Sequence, residues 1–492
     1  MVEDVVLGLF GTCVLNLYFF LLSSTHTFIR LSLVIFPVAF PPVCWRYFYS
    51  AFYVTDAAPR ACRMVAMEWN GNLLAFLAFF IFRYLRLVVH CVSYYRFKSR
   101  PVQIKPAYLP DQATVIVPTT FECAAEFARC LGSILACGPS EVIVVTSKAK
   151  LCAVETCCRI NGFNDGVRVI SVGKLNKRRQ LVAALRQTMS EITIFADDDV
   201  FWPEDFLESI LASFDDPAVG AAGPRQRVVR NARPNVWNFL GIAYLERHNF
   251  NTGATNNLDG GISTLSGRTS AYRTSILKND AFYDAFLNDA WFGRPLNTDD
   301  DKCLTRWTYS KGWKIHLQFD DNAVLETTVE CSSKFLLQCV RWARAHWRGN
   351  LTVMANNSYW YRKHPWTLYA VYISQFQTPA LLVDGFLVYL LSKASESCSY
   401  NARWLIFQTF AFWLLFTKIV KLIPHFLRHP RDIKFLPASI VFGYVHGFIN
   451  IYACLTLHVT AWGSRNLVDD DADGQDPVLV PLTHSCQPWY SA

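Results

Sequence analysis

Apolar runs of helix length crowd both ends of this chain and leave its middle, which calls for hydrophobic helices on either side of a polar centre. Val5 to Leu22 is nearly unbroken apolar, a second run extends from Phe28 to about Val54, and a third from Leu73 to about Tyr95. Near the other end, runs span Trp366 to Leu391, Trp404 to Ile423 and Ala438 to Ala461. A content of 52% apolar and 15% aromatic residues in 492 is too high for an ordinary soluble protein, so membrane segments are expected. A cleaved signal peptide fits the first run poorly, because Glu3 and Asp4 replace the expected positive start and no small-x-small site follows.

Charge sets the orientation. Arg96, Lys98, Arg100 and Lys105 close the third run, and Lys418, Lys421, Arg428, Arg431 and Lys434 lie between the last two, so both positions are expected in the cytosol. The formal net charge of +8 gathers beside apolar spans rather than in a basic tail, which suits a lipid bilayer and argues against a nucleic-acid partner. The sixteen cysteines are scattered, and the adjacent pair Cys157-Cys158 lacks zinc-site spacing, so reduced thiols are expected.

The middle, roughly 106–330, changes character. Short apolar runs at 114–117, 141–145, 167–170 and 192–195 alternate with helix-like or polar stretches, among them Glu122 to Cys137 closed by Gly138-Pro139. Alternation of this kind predicts an α/β domain with a mostly parallel, Rossmann-like sheet whose ligands bind at the C-terminal strand ends. One such end carries Asp197-Asp198-Asp199. Alone, three adjacent acids fit a solvated turn as well as a cation site; a hard divalent ion holding a diphosphate would relieve their repulsion.

Four further features bear on that choice. Thr119 to Glu122 follows the first strand, the usual place for a nucleotide-contacting turn. Gly173 to Gln180 is a basic cluster that starts a helix, favourable to phosphate. Asp299-Asp300-Asp301 before Lys302 is a second acidic triplet, able to supply a general base, to cap a helix, or both. Gln338-Cys339-Val340-Arg341-Trp342 lies on an amphipathic segment, where Arg341 offers a planar fork for diphosphate and Trp342 a flat face for a sugar; an interfacial helix with a Trp anchor would look the same.

Taken in order, these motifs resemble the processive, membrane-embedded, inverting family 2 glycosyltransferases with a GT-A catalytic domain: hyaluronan, chitin and cellulose synthases, and the fungal type 3 capsular polysaccharide synthases. The resemblance covers about residues 73–465. It implies a GT-A domain between multi-pass helices, Mg²⁺ or Mn²⁺ held by Asp197 and Asp199, and Asp301 as the base beside Asp300. It implies donor contacts from Thr119, Glu122, Lys177, Arg178, Asp197, Gln338 and Arg341, and acceptor contacts from Ser266, Gly267, Arg273 and Trp342. Trp462-Gly463-Ser464-Arg465 resembles a gating segment, and Arg344 and Arg348 continue the basic pattern after Trp342. Thr146-Ser147 stands where many members carry an Asp near the uracil.

The implied partners are a UDP-sugar donor (UDP-GlcNAc, UDP-GlcA or UDP-Glc), a growing polysaccharide and the bilayer, with the enzyme in the plasma membrane and its catalytic domain cytosolic. A lipid glycosyltransferase of the ceramide glucosyltransferase type, which shares the acidic and Q-x-x-R-W pattern, is the first alternative, and a non-enzymatic membrane protein whose motifs coincide by chance is the remoter one. The expected organisation is a transmembrane region at 1–100, the catalytic domain at 101–330, amphipathic helices at 331–362, a second transmembrane region at 363–465 and a polar tail at 466–492. To keep Trp462 to Arg465 cytosolic, residues 438–461 are expected to be re-entrant or interfacial. Asn350 and Asn356 start N-x-S/T triplets but are expected to stay unmodified on the cytosolic side.

Overall fold

The computed structural model describes residues 70–163, 165–356 and 362–460; the first two apolar runs and Trp462 to Arg465 lie outside them. The chain forms two compact units. Among the described residues, one holds 70–95 together with 379–444, and the other holds 96–378 and 445–460. Helix α1, Gly71–Tyr95, realises the third apolar run in the first unit.

The second unit is built on a sheet. Its strands are β1 (Ala113–Pro118), β2 (Glu141–Ser147), β3 (Val167–Val172), β4 (Ile192–Ala196), β5 (Val200–Phe201), β6 (Val219–Val228) and β7 (Thr269–Arg273). A small hairpin of β8 (Ala290–Trp291) and β9 (Arg294–Pro295) stands apart, and β10 (Lys314–Gln318) and β11 (Val324–Thr327) complete the set. The order is β3-β2-β1-β4-β7-β6-β11-β5, with β10 also on β6. The four strands read from the sequence lie side by side and parallel. Both faces are covered, so their side chains are apolar on either side: Val115 and Val117 face one core and Ile116 the other.

Most pairings in the sheet are parallel, as expected, but it is mixed: β7 runs antiparallel to both β4 and β6, and β5 to β11. The start of β7 is fixed at the C-terminal tip of β4, where Ala196 pairs with Thr269 and the Asp197 amide donates to the Arg268 carbonyl at 2.8 Å. The turn Ser266 to Arg268 is thereby brought beside the first acidic triplet.

Helices complete the layers: α2 (Ala124–Ala136), α3 (Leu151–Ile160), α4 (Lys177–Leu185), α5 (Val236–Asp259), α6 (Asp300–Ser310) and α7 (Lys334–Asn356). Asn176 caps α4, its side chain accepting from the Arg178 amide at 2.9 Å. Helix α7 carries the amphipathic segment as one helix of 23 residues. It is packed into this unit through Phe335, Cys339, Ala343 and Trp347, all buried. Asn350 is buried as well, donating to Gln375 at 2.8 Å, so its glycosylation triplet is inaccessible.

The run from Trp366 to Leu391 is not one span. Residues 365–377 are short, irregular helical turns of the sheet unit, where the Thr367 amide and hydroxyl donate to the Asp259 carboxylate at 2.8 and 2.7 Å. Pro379 ends that stretch, and α8 (Ala380–Ala394) begins the other unit's share. Next come α9 (Tyr400–Ile419) and α10 (Leu436–Leu455), with helical turns over most of the basic stretch between them. Among the described residues three stretches are long and apolar enough to cross a membrane: 71–95, 400–428 and 430–455. In the apolar unit Phe80 and Tyr84 of α1 meet Trp413 of α9 with ring centroids 5.7 and 5.4 Å apart. Asp384 of α8 is buried there between Lys418 (3.1 Å), the Tyr444 hydroxyl (3.2 Å) and Arg83 (3.9 Å).

Candidate active site

A cavity of about 220 Å³ opens where the C-terminal ends of β1 and β4, the start of β7, the N-termini of α4 and α6 and one face of α7 converge. Its walls include Thr119, Lys177, Asp197, Asp199, Ser266, Gly267, Asp300, Asp301, Gln338, Arg341 and Trp342. Residues far apart in the chain, singled out by type and order, therefore share one cleft. Glu122, Arg178 and Arg273 do not line it.

The reasons for those three are local. Glu122 turns back on its own loop, accepting from the Thr120 hydroxyl at 3.2 Å. Arg178 is one residue past Lys177 on α4, about 100° round the helix, and so points into the protein. There it donates to the Phe286 and Thr298 carbonyls at 2.7 and 2.9 Å and to Asp289 at 3.1 Å, fixing the loop before the second acidic triplet. Arg273 is at the far end of β7, where it donates to the Val219 and Phe214 carbonyls and the Tyr108 hydroxyl at 2.7 to 2.9 Å. Both arginines brace the fold around the site.

Lys177 joins the two acidic clusters. Its ammonium lies 2.7 Å from Asp197 Oδ1 and 3.2 Å from Asp300 Oδ2. Although burial works against its charge, Asp197 and Asp300 outweigh that and hold it firmly protonated. Asp300 is held below the usual carboxylate range because the nearby Lys177 and Arg178 charges overcome its desolvation. Asp299 has its own cation, with Arg348 Nε and Nη2 donating to its two carboxylate oxygens at 2.7 and 3.0 Å. Asp301 differs: its Oδ1 accepts from the Lys302 amide at 2.7 Å, and burial followed by the Asp300 charge pushes it up to about 6. Such a carboxylate can hold a proton near neutrality, as a general base must.

Space at this point depends on Gly267. A Cβ there would lie 3.3 Å from Lys177 Nζ and in van der Waals contact with Asp301 Cβ at 3.4 Å, so a larger residue would press on the bridging lysine. Across the cleft Trp342 packs against Tyr244 with ring centroids 4.9 Å apart and under the Arg268 guanidinium at 5.3 Å. This contact set makes Trp342 a wall of the cleft, not an exposed interfacial anchor. Arg268 also donates to Gln226 Oε1 at 2.9 Å, as does the Ser266 hydroxyl at 3.2 Å. Gln226 and Thr328 carry no motif and owe their place to long-range strand pairing.

The first triplet fits a hard divalent cation. Asp198 is occupied by the Thr119 hydroxyl, which donates to it at 2.6 Å, while Asp199 accepts only a long bond of 3.3 Å from Thr328. Burial, then the Asp197 charge, pushes Asp199 up to about 7, as expected of crowded carboxylates short of counter-charge. Among the described residues no three His, Cys, Asp or Glu side chains form a complete cage. A cation held by two carboxylates and completed by diphosphate oxygens suits that arrangement.

A mixed sheet with acids at the tip of a central strand, facing a second acid and an arginine-tryptophan helix, defines a GT-A-like glycosyltransferase. The comparisons agree: a family model described as "Glycosyltransferase like family 2" matches residues 110–345. A type 2 glycosyltransferase of Gibberella zeae is 42% identical over 85% of this chain and 81% of its own length. The chain belongs to glycosyltransferase family 2. The hyaluronan synthase of Streptococcus pyogenes is a distant relative, 22% identical over 59% of this chain and 66% of its own. A mannosyltransferase from Pyrobaculum calidifontis, solved with GDP-Man and Mn²⁺, overlaps 76% of this chain and 98% of its own at 18% identity and a TM-score of 0.47.

Proposed function

We propose that this enzyme is a membrane-embedded, inverting, processive glycosyltransferase that draws on UDP-sugars and builds a β-linked polysaccharide, hyaluronan-like or of capsule or cell-wall type, which it also passes across the membrane. One observation carries the reading: Asp301, the acid of its turn with no side-chain cation of its own, shares a cleft with the cation-seeking pair Asp197 and Asp199. In the transfer, an acceptor hydroxyl oxygen bonds to the anomeric carbon as the bond from that carbon to the diphosphate breaks. Asp301 takes the hydroxyl proton, and UDP leaves with the bonding electron pair. Mg²⁺ or Mn²⁺ at Asp197 and Asp199 would supply charge stabilisation for the leaving diphosphate. Thr119, Lys177, Gln338 and Arg341 are the donor-side contacts, with Arg341 presenting a fork to the diphosphate. Ser266, Gly267 and Trp342 bound the acceptor side.

Purified full-length enzyme with Mn²⁺ and UDP-GlcNAc, UDP-GlcA or UDP-Glc, singly and in pairs, should release UDP and form a product that linkage-specific hydrolases digest. Asp301→Asn should lower turnover by about 1,000-fold, within the span of general-base contributions, while UDP binding with Mn²⁺ stays close to the parent. Undiminished turnover in Asp301→Asn rules out the base. A product of one added sugar on a lipid would replace polymerisation by the lipid-acceptor alternative.

A further inference from the structure

The second acidic triplet starts with a residue in an unfavourable conformation. Asp299 has φ +65°, the left-handed region that a side chain beyond glycine rarely adopts, and its side chain makes no capping bond to α6. It is also buried, at 6% exposure, directly before Asp300 and Asp301. Something must hold the turn, and the contacts identify it.

Arg348, six residues beyond Trp342 on α7 and 2% exposed, grips both Asp299 oxygens in a planar fork, and its Nη2 also donates to Thr298 Oγ1 at 3.2 Å. Its remaining nitrogen, Nη1, donates to the carbonyls of Val459 at 3.0 Å and Leu457 at 3.3 Å, just past the end of α10. Two further bonds brace the same junction: Trp347 Nε1 to the Asn450 carbonyl at 3.1 Å and Arg344 Nε to Thr456 Oγ1 at 3.0 Å. We propose that Arg348 is a positioning residue of the reaction, locking the strained Asp299 turn and tying it to the backbone at 457–459, so that Asp301 is aimed jointly by α7 and the end of α10. Its catalytic consequence rests on Asp301 being the base; the lock itself does not.

The structure explains why a lysine would not serve. A single ammonium cannot satisfy two carboxylate oxygens, a hydroxyl and two carbonyls in one plane, whereas guanidinium does so with a fixed fork. Removing the guanidinium leaves a buried carboxylate on a strained residue, which is the costly way to break such a pair. Replacing Asp299 by Gly removes both problems, since glycine takes positive φ without a Cβ.

The test uses the full-length enzyme and the variants Arg348→Gln, Arg348→Lys and Asp299→Gly/Arg348→Gln. Amide hydrogen exchange over residues 297–305 should speed up in both single variants and slow again in the double variant, with exchange in the β1–β4 sheet unchanged. Turnover should fall about 100-fold in Arg348→Gln, the scale set by small misplacement of a catalytic group, and regain about tenfold in the double variant. UDP affinity with Mn²⁺ should stay within about threefold of the parent throughout, a small change on the binding scale. Should Arg348→Gln fail to fold, Arg348→Lys, which keeps the charge, carries the same expectations in exchange and turnover. Unchanged exchange at 297–305, loss of UDP binding in step with turnover, or a double variant no better than Arg348→Gln in both readouts overturns the proposal. Asp301→Asn with normal turnover would sink the base assignment alone, because the exchange readout does not depend on it.

Discussion

Asp301, the proposed base, differs from the two acids before it in what surrounds it. Lys177 sits on Asp300 and Arg348 on Asp299, while the ammonium of Lys302 turns away to the Ser263 carbonyl at 3.2 Å and within 3.1 Å of His346. Only the ionised base can accept the acceptor proton, so kcat/KM should rise with pH through about 6 and level off above it. A pH profile of UDP release whose acidic limb lies near 4 would contradict that environment. The acids, Lys177, Arg341 and Trp342 were legible in the sequence because their types are unusual in those surroundings and their order is informative. Arg178 and Arg273 were not placed correctly by the same signals: adjacent basic residues look equivalent until helix phase separates them, and a residue at the far end of β7 is about 13 Å from its start at roughly 3.3 Å per residue. Arg348 was legible as part of a basic pattern, but its partner Asp299 depends on a backbone conformation that no composition rule reveals.

At the scale of elements, β1 to β4 and α2 were legible from apolar runs and a Gly-Pro stop, within a residue or two of their observed bounds. The reversal of β7 was not, since strand direction follows from where α5 delivers the chain. Nor was the division of the 366–391 run, whose average apolarity hides the Thr367–Asp259 anchor and the break at Pro379. Within the apolar unit, Asp384 ties α8 to α1 and α9 by facing Arg83 and Lys418. Asp384→Leu leaves two cations in an apolar setting and should sharply reduce recovery of folded enzyme from membranes. Combining it with Arg83→Met and Lys418→Met should restore much of that yield, measured as monodisperse protein after extraction. Failure of the triple variant to recover would mean that Asp384 acts through something other than these charges.

For the whole molecule, the end of α10 is informative. Residues 456–459 bind Arg344 and Arg348 of the catalytic unit, which supports the proposal that the chain at 459 stays on that unit's side of the membrane. We propose on this ground that 438–461 is re-entrant or interfacial, although 430–455 is long and apolar enough to cross a membrane. A small epitope at the C-terminus should therefore resist an impermeant label on intact cells and become reactive after permeabilisation, like an epitope inserted at Lys105. Labelling of intact cells at the C-terminus alone would place the tail on the opposite face. How far the apolar runs could be counted as spans from sequence was limited by physics: hydropathy reports what a segment tolerates, and packing decides which unit it joins.

The lysine between the two acidic clusters has a consequence for how the enzyme loads. With Lys177 bridging Asp197 and Asp300, the resting cleft already carries an internal counterion, and filling it is an exchange rather than an addition. Asp197 and Asp199 would hold the proposed divalent ion, whose charge would replace that of Lys177 at Asp197 and leave the ammonium available to phosphate oxygens. On that proposal nucleotide and ion would bind interdependently, since diphosphate alone would face carboxylates and the ion alone an ammonium.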